Sequence, residues 1–102
     1  MKPLFIPLMK EYYQAFERGD KEIEFRLYGK RWNWKTCQVG RDVILSCGYG
    51  KRNRLKGRIS AFDKILLSEL NETVINDMIK IYGDIDVEVA CIHISDITPL
   101  ND

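Results

Sequence analysis

Residues 19–28 of the chain, Gly-Asp-Lys-Glu-Ile-Glu-Phe-Arg-Leu-Tyr, lie where one hydrophobic pattern gives way to another. The preceding residues 8–18 have apolar side chains at helical spacing, and Gly19 stands where helices commonly end in the left-handed conformation. The apolar face of this predicted helix consists of Leu8, Tyr12, Ala15 and Phe16. Residues 22–28 alternate instead between apolar side chains (Ile23, Phe25 and Leu27) and polar ones. The stretch therefore predicts a helix followed by a half-buried strand.

Further strands are predicted on both sides of this stretch. Towards the amino terminus, residues 4–6 form a short apolar run that ends at Pro7. Towards the carboxyl terminus, residues 43–47 and 54–65 predict two strands joined by a hairpin-like connection. In the second of these strands the alternation places Leu55, Ile59 and Ala61 inward.

A second helix and a last strand complete the predicted elements. Asn71 is expected to cap a helix over residues 72–82, and Gly83 to end it. The apolar stripe of this helix is Val74, Ile75, Met78, Ile79 and Tyr82. The last strand spans about residues 87–97, and its apolar positions shift from odd (Ile85, Val87, Val89) to even (Ala90, Ile92, Ile94). This shift predicts a bulge or burial on both faces.

The order of these elements predicts an α+β fold, with residues 1–102 forming a single domain. We expect a small mixed, curled sheet or β-barrel of five or six strands with two flanking helices. A repeating strand–helix–strand unit is absent from the pattern, so a doubly wound parallel sheet is not expected.

The composition is that of an ordinary globular protein, with 45% hydrophobic and 30% charged residues. No apolar run approaches the length of a membrane span, and the start of the chain lacks a signal-peptide pattern, so a cytoplasmic protein without a membrane partner is expected. Net charge is +1, but its distribution is uneven. Residues 30–58 contain nine basic residues and one acid, Asp42. Segregated charge of this kind favours steering of an anionic partner.

The Gly19-x-Lys21-x-x-Glu24-x-Arg26 pattern, between a helix end and a strand, resembles the signature of the ASCH domain family in the PUA-like superfamily. Gly40 and Asp42 before the next strand fit the same resemblance, which covers essentially the whole chain. It implies a small β-barrel with a cleft containing Lys21, Glu24 and Arg26, and binding of RNA. Some members of the family resemble RNA-cleaving enzymes, and a related branch hydrolyses N4-acetylcytidine with a threonine where this chain has Glu24.

The same three residues also have a direct chemical interpretation. Glu24 and Arg26 are two apart on a strand and share its polar face, with Lys21 just before it. An Arg and a Lys suit phosphate, while a carboxylate accepts hydrogen bonds or acts as a general base. The alternative is a structural ion pair on the sheet surface.

Two other groups of residues are candidate nucleic-acid contacts. Arg54, Lys56 and Arg58 project from one strand face about 7 Å apart, near the phosphate spacing of a single strand; the alternative is an edge strand protected by charge. Trp32 and Trp34 lie between Arg31 and Lys35, a combination that holds bases by stacking; the alternative is that one or both plug a barrel end. We expect one tryptophan in the core and one exposed.

The remaining candidates favour a structural role. His93 lies two residues from Cys91 and from Ser95 on a predicted strand, where side chains point in parallel and rarely form a nucleophilic pair. Three widely spaced cysteines and one histidine predict no metal site, and no cofactor motif is present.

The leading hypothesis is a domain that binds RNA or a modified nucleoside or nucleotide in the Lys21–Glu24–Arg26 cleft. The first alternative is a metal-independent hydrolase on the same cleft, either a ribonuclease or a nucleoside amidohydrolase, in which Glu24 acts as base and Lys21 stabilises charge. The second is a small regulatory module that binds another protein.

Overall fold

A computed structural model describes residues 1–83 and 86–100 of the chain. The strands are β1 (Leu4–Leu8), β2 (Ile23–Leu27), β3 (Asp42–Cys47), β4 (Arg54–Leu66) and β5 (Glu88–Pro99). The helices are α1 (Lys10–Arg18), between β1 and β2, and α2 (Glu72–Tyr82), which follows a short 3₁₀ turn at Leu67–Glu69. This arrangement confirms the predicted α+β class with two helices.

The five strands form one curled, half-barrel sheet in the order β1-β3-β4-β5-β2. β1 pairs parallel to β3, and the other neighbours are antiparallel. β1 and β2 are therefore the two edges of the sheet, and β4 is its central strand. The candidate site lies where the Arg26 side chain of β2 contacts the Pro7 backbone carbonyl of β1.

Two hydrophobic clusters lie on opposite faces of the sheet. The larger fills the inside of the curl and includes Phe16 of α1, Leu45, Ile59 and Ile92. The smaller lies under α2 and the 3₁₀ turn, and contains Leu67, Met78, Val89 and Cys91. Successive residues of β5 belong to different clusters. This strand is therefore buried on both faces, which is one of the two explanations predicted from the shift of its apolar positions.

The start of the chain differs from the prediction. β1 continues through Pro7 to Leu8, and α1 begins only at Lys10. Pro7 is compatible with this extension because β1 is an edge strand, where a missing N–H is tolerated. The buried face of α1 consequently consists of Tyr13 and Phe16, and Leu8 is buried as a strand residue.

Two predicted apolar sets also need correction. Between Ile59 and Ala61 the pairing of β4 with β5 shifts register, so Phe62 becomes the buried residue and Ala61 is only half-buried. On α2 the predicted cap is confirmed, since the Val74 N–H donates to Oδ1 of Asn71 at 3.0 Å. Ile79 and Tyr82 are exposed, however, because the helix covers the sheet mainly through its first turns. Ile85 lies outside the described residues.

Candidate functional site

A buried ion-pair triad lies on the concave face of β2. The Arg26 Nε–H donates to Oε2 of Glu24 at 2.7 Å, and the Lys21 Nζ lies 3.5 Å from Oε1 of the same carboxylate. Only 7% of the Glu24 side chain is exposed, and 18% of each cation. The structure thus brings together all three predicted residues, and the alternating pattern that placed Glu24 and Arg26 on one face of β2 is confirmed.

The end of α1 positions Lys21. Gly19 has a φ of 81°, and its N–H donates to the helix carbonyls, which turns the chain into β2. The Lys21 Nζ then lies 5.1–5.4 Å from the ring centroids of Tyr12, Phe16 and Phe25. An ammonium among three rings gains cation–π attraction while it keeps its ion pair.

Arg26 connects the two edges of the sheet. Its Nη2 donates a hydrogen bond to the Pro7 carbonyl of β1, while its Nε holds Glu24. The guanidinium also lies 4.9 Å from the ring centroid of Trp32. Glu24 and Arg26 pair with Ile92 and Ala90 of β5, so they lie on the core side of the sheet. They close the barrel where β1 and β2 do not pair.

An open cleft of about 450 Å³ lies beside this triad. Its walls are the end of β1, α1 with the start of β2, and α2. The lining includes Pro7, Leu8, Met9, Tyr12, Asp20, Lys21, Glu24, Phe25, Arg26, Thr73, Asp77 and Tyr82. A cleft of this size and largely apolar lining is typical of small-molecule sites. Six residues of α2 also line the cleft: Thr73, Val74, Asp77, Met78, Ile81 and Tyr82. None was among the predicted site residues, because only the tertiary packing of α2 brings them to the cleft.

The charge of the cleft argues against a phosphate. Three carboxylates line it (Asp20, Glu24 and Asp77) against two cations, Lys21 and Arg26. Burial raises the pKa of the Tyr12 phenol, and the nearby Asp77, Glu11 and Glu24 raise it further. Tyr12 therefore stays a neutral hydroxyl that donates or accepts hydrogen bonds. The arrangement suits an uncharged polar ring better than an anion.

The geometry also bears on catalysis. Both oxygens of Glu24 are already engaged by cations, and the side chain is almost entirely covered. A general base needs a free lone pair within hydrogen-bond reach of the proton that it takes. Each oxygen keeps a second lone pair, but with 7% of the side chain exposed little of it is accessible, and the described contacts show Glu24 holding the two cations in place.

The tryptophans divide as expected into one buried and one exposed. Trp32 belongs to the core with 8% exposure, and Arg26 and Arg31 both lie about 5 Å from its ring. Trp34 is 53% exposed, and its ring contacts Phe62 edge-on at a centroid distance of 4.7 Å. Lys35 is exposed. Trp32 is thus unavailable for stacking on a base, whereas Trp34 is accessible.

Arg54, Lys56 and Arg58 lie on the convex face of β4, apart from the cleft. Their strand is central, so the alternative that they protect a sheet edge is wrong. Lys56 and Arg58 are exposed, and Arg58 lies 3.6 Å from Asp42 of β3. None of these three residues lines the cleft beside Lys21, Glu24 and Arg26.

The His93 group has a structural arrangement. The His93 Nε2 lies 3.2 Å from Oδ2 of Asp63 on β4. Burial raises the pKa of the Cys91 thiol to about 11, with a contribution from Asp63. A thiol that is both covered and protonated is a poor nucleophile. Within residues 1–83 and 86–100, no group of histidine, cysteine and acidic side chains has a metal-binding arrangement.

Comparisons of the chain with models of protein families, with curated proteins and with solved structures found no match. In the part of the chain that the structure describes, neither helix is long and apolar enough to cross a bilayer.

Proposed function

We propose that this protein binds an uncharged nucleobase or nucleoside, free or as part of RNA, in the cleft beside Lys21, Glu24 and Arg26. The observation that carries the proposal is the convergence of these three residues on one wall of a 450 Å³ cleft. The resemblance of their spacing to the ASCH signature supports the same class of ligand.

The lining offers the groups that a base requires. Tyr12 and Tyr82 present aromatic rings to the cleft, and Asp77 can accept a hydrogen bond from an exocyclic amino group. The Lys21 ammonium can donate to a ring carbonyl, since 18% of its side chain remains exposed. The acidic balance of the lining predicts that a phosphate adds nothing to the affinity.

The fluorescence of Trp32 provides a direct binding test, because its ring contacts Arg26 at the cleft wall. In a Trp34→Phe background Trp32 is the one remaining tryptophan. We expect saturable changes in emission when cytidine or N4-acetylcytidine is added. Cytidine monophosphate should bind no more tightly than cytidine.

Lys21→Met in the same background should weaken binding about tenfold or more, as expected for loss of a charged hydrogen-bond donor. Lys35→Met is the matched control, since it removes the same charge from an exposed loop position. Equal affinities in the two variants, or no saturation with any nucleoside, would overturn the proposal.

The hydrolase alternative is tested with the same samples. Because Glu24 is paired with two cations and its side chain is almost entirely covered, we expect N4-acetylcytidine to be recovered intact after incubation. Release of acetate, measured by chromatography, would instead establish turnover on this cleft.

A further inference from the structure

The convex face of β1, β3 and β4 combines exposed aromatic and basic side chains. Leu4 and Ile6 of β1 point into the core, so Phe5 points outward between them. The strand registers place Phe5 beside Ile44, and Ile44 beside Lys56, in one row across the three strands. α1 packs on the concave face, and the cluster under α2 includes none of these three residues.

An aromatic pair forms one end of this face. Tyr49, in the β3–β4 hairpin, is 78% exposed, and its ring centroid lies 6.1 Å from that of Phe5 at an angle of 37°. The Arg54 guanidinium lies 5.3 Å from the Phe5 centroid, and its Nε–H donates to the Gly50 carbonyl at 3.1 Å. The hairpin and β4 thus hold an exposed ring and a cation side by side.

The charge on this face is strongly positive. The exposed or half-exposed cations are Lys51, Arg52, Arg54, Lys56 and Arg58, and the acids beside them are Asp42 and Asp96. Next to the aromatic pair, an open groove of about 410 Å³ runs between Pro3, Ile44, Lys56 and Arg58. The cations on β4 recur at every second residue, about 7 Å apart.

We propose that this face binds single-stranded nucleic acid. Tyr49, supported by Phe5, stacks against a base, while Arg54, Lys56 and Arg58 contact successive phosphates. Aromatic rings flanked by cations along an open surface are what sequence-tolerant single-strand binding requires, and the positive charge matches a polyanion. The bases of a duplex are stacked on one another and cannot stack on Tyr49. A duplex therefore interacts only with the charge of this surface and should bind less tightly.

One backbone hydrogen bond connects the hairpin of this surface to the lining of the cleft. The Gly48 N–H, at the start of the hairpin, donates to the Leu8 carbonyl at 2.8 Å, and Leu8 lines the cleft. A strand bound across β4 towards Tyr49 therefore reaches the hairpin that is hydrogen-bonded to Leu8 of the cleft. This inference extends the proposed function from one nucleoside to the strand that carries it, but it rests on different residues.

Fluorescence anisotropy of a labelled oligouridine, titrated at two salt concentrations, tests the inference. We expect binding that weakens with salt, by a slope of about 0.7 per phosphate contact for a single strand. Lys56→Met and Arg58→Gln should each lower that slope by about this amount. Tyr49→Ala should weaken binding about tenfold, within the usual range for loss of one stacked base.

Two control variants separate binding at this surface from the effect of overall charge and from binding in the cleft. Lys80→Met removes an exposed charge from α2, away from the surface, and should leave the titration unchanged. Lys21→Met should weaken nucleoside binding about tenfold or more, as above, yet retain most of the oligouridine affinity, which distinguishes a failure of one site from a failure of the other. Absence of oligouridine binding at low salt, equal affinity for a duplex, or no effect of Tyr49→Ala would each overturn the inference.

Discussion

At the scale of single residues, Glu24 is the side chain on which most polar contacts of the site depend. It lies between Lys21 and Arg26, and its neighbours on the core side are apolar. Removing one member of a buried ion-pair network leaves the others uncompensated, and this loss usually exceeds the net stabilisation that the intact network gives.

Glu24→Gln is therefore expected to lower the free energy of unfolding by roughly 2–4 kcal/mol, somewhat less than for a fully buried pair because both cations keep some exposure. Urea denaturation measures the change. Glu22→Gln is the matched control, since Glu22 precedes it by two positions and is exposed. Equal losses in the two variants would show that Glu24 holds no such network.

A second prediction concerns the Cys91 thiol and the pH dependence of the free energy of unfolding. Its pKa is raised from 9.0 to about 11 in the folded protein, first by burial and then by Asp63. A group whose pKa is higher in the folded state contributes stability that is intact below pH 9 and is lost as the pH rises through about 11. Two units correspond to roughly 2–3 kcal/mol.

Cys91→Ala removes this contribution and leaves those of the tyrosines in place. Between pH 8 and the highest pH at which both still fold, the unfolding free energy of the parent should therefore fall relative to that of the variant. Chemical denaturation at a series of pH values gives the two curves. Curves that stay parallel would show that the folded protein does not raise the thiol pKa.

At the scale of the elements, local pattern and long-range pairing determined different features. The helix over residues 72–82, its Asn71 cap and the alternation of β2 were all predictable because each depends on neighbours within a few positions. The burial of Phe62 in place of Ala61 was not predictable, because it results from a register shift against β5. Burial of the polar face of β2 likewise depends on α1 and β1.

Gly57 lies at another register shift in the same pair of strands, between Lys56 and Arg58. A Cβ added there would lie 2.8 Å from Cγ2 of Ile94 and 3.1 Å from the Ser95 carbonyl oxygen. Because that oxygen belongs to the backbone of β5, relief requires the strands to separate.

We expect Gly57→Ala to destabilise the protein by about 1–3 kcal/mol, the usual range for overpacking. Gly29→Ala is the matched control, since its Cβ would have no atom within 4 Å and its φ is not left-handed. Its effect should stay within about 0.5 kcal/mol. Thermal unfolding of both variants measures the difference, and an unchanged midpoint for Gly57→Ala would show that the bulge accommodates a methyl group.

At the scale of the whole molecule, the sheet is a curled layer, and the two proposed ligand sites involve different sets of its residues. The sequence placed Lys21, Glu24 and Arg26 on one strand face, and the charged residues of β4 on another, but strand order decides which face is concave. For this reason Phe5 was missed as an outward-facing aromatic, and Trp32 was included as a contact although it is buried. The position of Phe5 between two inward-facing residues, Leu4 and Ile6, was the signal in the sequence that could have identified it as outward-facing.

The last prediction is that Arg26 holds the two edges of the sheet together. Its guanidinium binds Glu24 on β2 and the Pro7 carbonyl on β1 at once, through Nε and Nη2. A lysine keeps the charge, but it lacks the rigid, planar pair of nitrogens with which the guanidinium reaches Glu24 and the Pro7 carbonyl at once. Arg26→Lys should therefore loosen β1 from β2 while the central strands stay paired.

Native-state hydrogen exchange distinguishes this local effect from general destabilisation. In Arg26→Lys, amides in the β1–β3 ladder should exchange faster, while those between β4 and β5 keep their protection relative to global unfolding. Arg18→Lys is the matched control, because Arg18 is exposed and its guanidinium pairs with the nearby Asp20. If all amides lost protection equally in Arg26→Lys, the guanidinium would contribute to overall stability without joining the edges. If β1 alone is released, the wall formed by Pro7 and Leu8 opens as well, and nucleoside affinity should fall with it.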